Sequence, residues 1–196
     1  QLGWMGKFKE GTDILENGFR NACKVNDKFW MGITQGTHAS VTHAAGYGNS
    51  TIVHAQEEIK ILEEAEISFG LDVAWLELGG GYYLCGEHEK AIVTVEKALK
   101  LAKEGGVPIL MAWCDCFLAW TLRATGNLGR ARECAEEALR ITQECNGKAP
   151  EGAARVLLGS MAEERTPAII EEAERQIRHG ISIWEDRKLK RWSAVG

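Results

Sequence analysis

A period of 40 residues constrains this chain more than any other feature. Gly86, Ala91, Val95, Ala98 and Leu99, moved forward by 40, fall on Gly126, Ala131, Ala135, Ala138 and Leu139. Moved back by 80, they fall on Gly6, Gly11, Leu15, Gly18 and Phe19. The copy between, Gly46, Thr51, Ala55, Glu58 and Ile59, matches more weakly. In a last copy Leu158-Gly159 repeats Leu118-Ala119, and a turn two residues longer leads to Ala173, Ile177, Gly180 and Ile181. A fixed period of this length implies one supersecondary unit, repeated because no single copy can bury its own apolar face.

The unit is clearest from Asp72 to Gly106. Trp75, Leu78, Gly79 and Tyr82 recur at helical spacing in the first half, and Ala91, Val95, Ala98 and Leu99 do so in the second. A turn at Cys85-Gly86-Glu87-His88 divides them. Glu87 and Glu89 suit the start of the second helix, and Lys97, Lys100 and Lys103 suit its end, by the helix dipole. Gly105-Gly106 suits its C-cap. The expected fold class is all-α, built from antiparallel helix pairs. The expected repeats are about 1–27, 28–70, 71–106, 107–148 and 149–187, with a stub at 188–196. Only Leu2-Gly3-Trp4-Met5 stands for the first copy's first helix, and Trp192 to Gly196 reads as the opening of another. The chain is therefore expected to be a single repeat domain cut from a longer protein.

Trp75, Leu78, Gly79, Tyr82, Gly86, Ala91 and Ala98 resemble the tetratricopeptide pattern W-x2-L-G-x2-Y…A…A at that family's spacings. His88 replaces the usual aromatic before the first alanine, and the closing proline is missing. The family period is about 34; the extra residues here lie after the second helices, in LAKEGGVP and ITQECNGKAP. Long repeats of this kind are similar to those in the C-terminal regions of bacterial ATPase-linked nucleotide cyclases and ATPase-type transcription activators. The resemblance implies a right-handed superhelical α-solenoid. It also implies a scaffold or regulatory module that binds proteins in a cytoplasmic bacterial signalling protein. The alternative it leaves open is a superhelical domain that senses a small-molecule effector.

Composition excludes other classes. A net charge of −5 with no basic stripe argues against nucleic-acid binding. No apolar run approaches membrane-spanning length. Six cysteines in a helical chain with ample core read as reduced thiols packed as small apolar residues. Cys114 and Cys116 are two apart, so on a helix they point about 200° from each other and do not converge on a metal. Gly79-Gly80-Gly81 follows no strand and lacks the lysine and hydroxyl of a phosphate loop. No cofactor is expected. His38 and His43, five apart, do not share a helix face, and no catalytic motif is present, so the chain is not expected to be an enzyme.

Pair one has an unusually polar first helix: Thr34, Gln35, Gly36, Thr37, His38, Ser40, Thr42 and His43. It reads either as a loosely packed helix or as the polar wall of a groove. Asn49 or Ser50 is expected to cap the next helix, which runs to about Ser68. Glu57, Glu58, Glu63, Glu64 and Glu66 are expected on its solvated side. Pair three's first helix is apolar on several faces, with Met111, Trp113, Phe117, Leu118, Trp120 and Leu122. It is either buried on both sides or lines a groove. By the resemblance, the first helices line a concave surface. The residues implied are Ile33, Gly36, Ser40 and His43; Val73, Leu76, Gly80 and Tyr83; Trp113, Cys116, Trp120 and Arg123; and Ala153, Val156, Ser160 and Glu163. Of these, Gly80, Tyr83, Trp113, Trp120, Arg123, His43, Ser40, Leu76 and Ser160 form the expected binding groove. Arg123 alone is cationic, which argues against clamping a C-terminal carboxylate. Aromatic anchors with one arginine suit a peptide or a partner helix. The expected partner is a protein, a peptide or another domain of the same polypeptide, with self-association a further alternative. Trp113 and Trp120 also read as ordinary core between repeats.

Overall fold

The computed structural model describes residues 8–162 and 166–186. They form α1 (Phe8–Lys24), α2 (Lys28–Ala44), α3 (Gly48–Glu64), α4 (Leu71–Leu84), α5 (His88–Glu104), α6 (Pro108–Ala124), α7 (Leu128–Cys145), α8 (Lys148–Ser160) and α9 (Pro167–Asp186). No strand occurs among the described residues, and none of their helices is long and apolar enough to cross a membrane. Leu2 to Met5, Glu163 and the stub with Trp192 lie outside them. The chain divides into two compact units, residues 1–101 and 102–196, with the boundary inside α5.

The turns explain the period. Gly46, Gly86 and Gly126 adopt φ of 81°, 77° and 80° between the helices of a pair. Asn26, Glu66, Gly106 and Asn146 adopt φ of 53°, 55°, 62° and 55° between pairs. A left-handed residue therefore falls every 20 positions from 26 to 146. The first set is always glycine, because β-carbons strain this conformation; the second varies in residue type, which hid it from the sequence. Glu66 also follows the end of α3 at Glu64, four residues short of the expected Ser68.

Within unit 1, α1 packs on α2, α2 on α3, α3 on α4, and α2 on α4. Ala39, Ala55, Ile59, Ala74 and Leu78 form a buried cluster, flanked by Ile52, Leu71, Trp75 and Tyr82. Gly79 lies where a β-carbon would strike Val95, so α4 and α5 meet closely, as the small residue of the repeat pattern requires. Lys97 lies 3.4 Å over the Trp75 ring and Lys90 5.5 Å over Tyr82, each covering one face of its aromatic. Asp27 caps α2 by accepting from the Trp30 N–H. Asn49 and Ser50 do not cap α3; both lie inside its first turn, and Tyr47 stands at the N-cap without a side-chain bond. In α1 Ile14 is 57% exposed, whereas Gly11 and Ala22 are buried.

Within unit 2, α6 packs on α7, α7 on α8, α8 on α9, and α6 on α8. Pro108 opens α6. Its Cys114 to Ala119 run is buried without a break, so this helix is enclosed on several sides. Gly159 meets the Ala173 carbonyl and Ile177, the same kind of contact that Gly79 makes with Ala91 and Val95 two pairs earlier. α8 ends at Ser160. Trp184, fully buried, donates from Nε1 to the Ala149 carbonyl at 2.9 Å and rests on Gly152. Cys114 and Cys116 are buried as expected, but Cys23, Cys85 and Cys145 are exposed, each at or next to a helix end.

Candidate functional site

In unit 1 the polar residues of α2 from Thr34 to His43, other than Thr37, which is exposed, face inward or are half-buried, and several hold α3 and α4. Ser40 Oγ donates to Glu77 Oε1 at 2.7 Å, and His43 Nδ1 lies 2.6 Å from Glu77 Oε2. Gly80 makes room for this pair, because a β-carbon there would enter the His43 ring. Gly81 likewise admits Ile52 and the Gly48 carbonyl of α3. The two glycines left over by the repeat pattern thus serve helix packing. His38 stacks on His54 at 4.7 Å between ring centroids, and His54 bonds Gln35 at 2.7 Å. Burial pushes both imidazoles below the usual histidine range, and the neighbouring His54 further disfavours charge on His38. The polar composition of α2 is thus a buried network rather than a loose helix. Leu76 is buried, and Tyr83 is half-buried with its ring 5.8 Å from His88.

Glu58, expected on the solvated side of α3, is 2% exposed. Its register position is that of Ala98 and Ala138, which face the interior. The carboxyl fits because position 36 is glycine; a β-carbon there would occupy its place. Burial, with Glu77 and Asp72 nearby, raises its pKa to about 8. The part played by Glu58 and Glu77 was not foreseen from the sequence. The 40-residue register carried the signal for Glu58, since it places a carboxylate at a small interior position; nothing comparable marked Glu77.

In unit 2 the first helices α6 and α8 carry the predicted aromatics. Trp113 and Trp120 are half-buried, and both pack on Phe117, at 6.3 Å and 5.2 Å between ring centroids. The three rings form one stripe along α6 at i, i+4 and i+7. At its end Arg123 Nη1 donates to Ser160 Oγ of α8 at 2.6 Å, and Ser160 bonds the Leu157 carbonyl. Cys116 and Ala153, implied for the same face, are buried. Two further grooves, of about 470 Å³ beside Trp75 and Tyr82 and about 450 Å³ beside Arg132 and Gln176, are lined by none of the predicted groove residues. Among the described residues no group of His, Cys, Asp or Glu is arranged to hold a metal ion.

Helix pairs stacked at a fixed register, with a small residue at each close contact, define a tetratricopeptide-like repeat solenoid. Residues 71–144 match the model of the tetratricopeptide repeat family. Among solved structures, the fold is similar to a crystal structure from Podosopora anserina, described as a kinesin light chain with nearly identical TPR-like repeats. The TM-score is 0.65 at 15% identity, covering 95% of this chain and 91% of that one. No curated protein matches the chain. Repeats of this type generally mediate protein–protein interaction.

Proposed function

We propose that the chain is a protein-interaction module, without catalytic activity of its own, and that the α6–α8 face of unit 2 is its binding surface. The observation that carries this reading is the Trp113–Phe117–Trp120 stripe ending at Arg123 and Ser160. Trp113 and Trp120 are half-buried and held by the buried Phe117 ring, so they are rigid and offer apolar area to a partner at little entropic cost. The tetratricopeptide likeness supports a peptide or helix as the occupant. Tyr83, half-buried on α4, is the corresponding surface we assign to unit 1. The long repeats support a parent among cytoplasmic bacterial regulators, where the module would hold other domains or an outside protein.

A pull-down with the chain as bait, comparing wild type with Trp120→Ala and Tyr83→Ala, tests this. The expected outcome is that Trp120→Ala loses at least one partner, with affinity reduced about 30-fold or more, as for a hot-spot residue. Val93→Ala, at an exposed site on α5, should keep every partner. Retention of all partners by both aromatic variants would overturn the assignment.

A further inference from the structure

Glu58 sits at the seam where α2, α3 and α4 meet. Its Oε2 is buried and has no hydrogen-bond partner among the described residues. From α2 the Gly36 backbone presses on it, and at the start of α4 a β-carbon on Gly70 would lie 3.9 Å from its Oε1. The ionisable groups facing it from α4 are Asp72 and Glu77, both carboxyls. Glu77 is already engaged by Ser40 and His43. No cation is among the groups that shift Glu58. A carboxylate here would face two others in a dry seam, whereas a carboxylic acid fits without charge. The stacked pair His38 and His54 bridges α2 and α3 in the same unit, with Gln35 bonded to His54 and Glu16 of α1 acting on His38.

We propose that this seam is a proton-coupled joint: parting of α2, α3 and α4 releases a proton from Glu58 and, in acid, takes up protons at His38 and His54. Opening would uncover the Ala39, Ala55, Ile59, Ala74 and Leu78 cluster. The joint would thereby decide whether α4, which carries Tyr83, keeps its backing by α2 and α3.

The signs follow from linkage. Glu58 has a closed-state pKa raised to about 8, against about 4.3 when exposed. Its contribution to closure is complete below the exposed value and is lost as pH rises through 8. The histidines have closed-state values lowered from 6.5. Their contribution is present above the exposed value and is lost as pH falls through the closed-state value. The joint therefore loosens as pH rises through about 8 and again as pH falls below the exposed histidine value.

Hydrogen exchange of α2 and α3 amides in the whole chain, corrected for intrinsic rates, measures opening. The ratio of the opening constant in wild type to that in Glu58→Gln should rise about tenfold per pH unit from about pH 5.5 to 7.5 and level off above about 8. Glu58→Gln, isosteric with the neutral acid, should open less as pH rises through about 6.5 and then stay flat. A ratio independent of pH overturns the proposal. If Glu58→Gln does not fold, the carboxyl carbon of Glu58 in wild type is titrated by NMR. A midpoint above about 7 supports the joint, and one at about 4–5, the range of an exposed glutamate, overturns it.

Discussion

At the scale of single residues, the cost of the turns falls where glycine is absent. Gly46, Gly86, Gly106 and Gly126 take the left-handed conformation freely, and a β-carbon on any of them would touch nothing within 4 Å. Asn26 and Asn146 tolerate it, because asparagine enters this region more readily than most residues. Glu66 does not, yet it stands at φ 55° and is exposed. Its backbone N–H bonds the Glu63 carbonyl, a contact that a glycine N–H would make equally well. Glu66→Gly is therefore expected to stabilise the chain by about 1 kcal/mol, by removing the left-handed strain. A urea titration followed by circular dichroism should show a higher midpoint with an unchanged slope. An unchanged or lower midpoint would mean that the strain is smaller than the entropy glycine adds to the unfolded chain.

At the scale of helix pairs, one contact is solved differently from copy to copy. In pair one it joins Gly36 to Glu58, and in the last pair Val156 to Gly180, where a β-carbon on Gly180 would stand 2.8 Å from Val156. The same register positions hold Leu76 with Ala98, and Cys116 with Ala138. Size on one helix is thus matched by smallness on the other, and pair one alone of these places the bulk on the second helix and makes it a carboxyl. Gly36→Leu alone is expected to cost about 3 kcal/mol, because Glu58 cannot yield in a packed seam. Gly36→Leu with Glu58→Ala restores the arrangement of pair two. The double variant is expected to be at least as stable as wild type at about pH 8, since it removes the buried carboxyl and gains about 1 kcal/mol of helix propensity. Thermal unfolding of wild type, both single variants and the double variant gives the coupling energy; additive changes would contradict the packing. The same comparison shows what the sequence could disclose. Helix pairs, turn glycines and the Gly79 contact were legible because residue size repeats every 40 positions. The Ser40–His43–Glu77 network was not, because its partners lie 37 and 34 residues apart and match no repeat position. The α6 aromatics were legible as residues, but their stacking on Phe117 required the helix register itself.

At the scale of the whole chain, a solenoid has no single core, and its stability sums over adjoining repeats. Damage should therefore stay near its origin, with an effect that fades along the sequence. Trp184 offers a severe test. It is the largest fully buried side chain among the described residues, it fills the space over Gly152, and its indole N–H satisfies the Ala149 carbonyl at the start of α8. Trp184→Ala removes that volume and leaves the carbonyl without its indole donor, so a local loss of about 3–5 kcal/mol is expected. Hydrogen exchange resolved by helix should show α8 and α9 losing protection by about two orders of magnitude or more, as follows from a loss of that size at about 1.4 kcal/mol per factor of ten. Amides of α2, α3 and α4, which pack on one another within unit 1, should change by less than about threefold if coupling is confined to nearest neighbours. Equal loss across all helices would instead mark the chain as one cooperative body. A proton-coupled joint in unit 1 would then report on the whole molecule rather than on its own seam, because opening there would have to carry the distant helices with it.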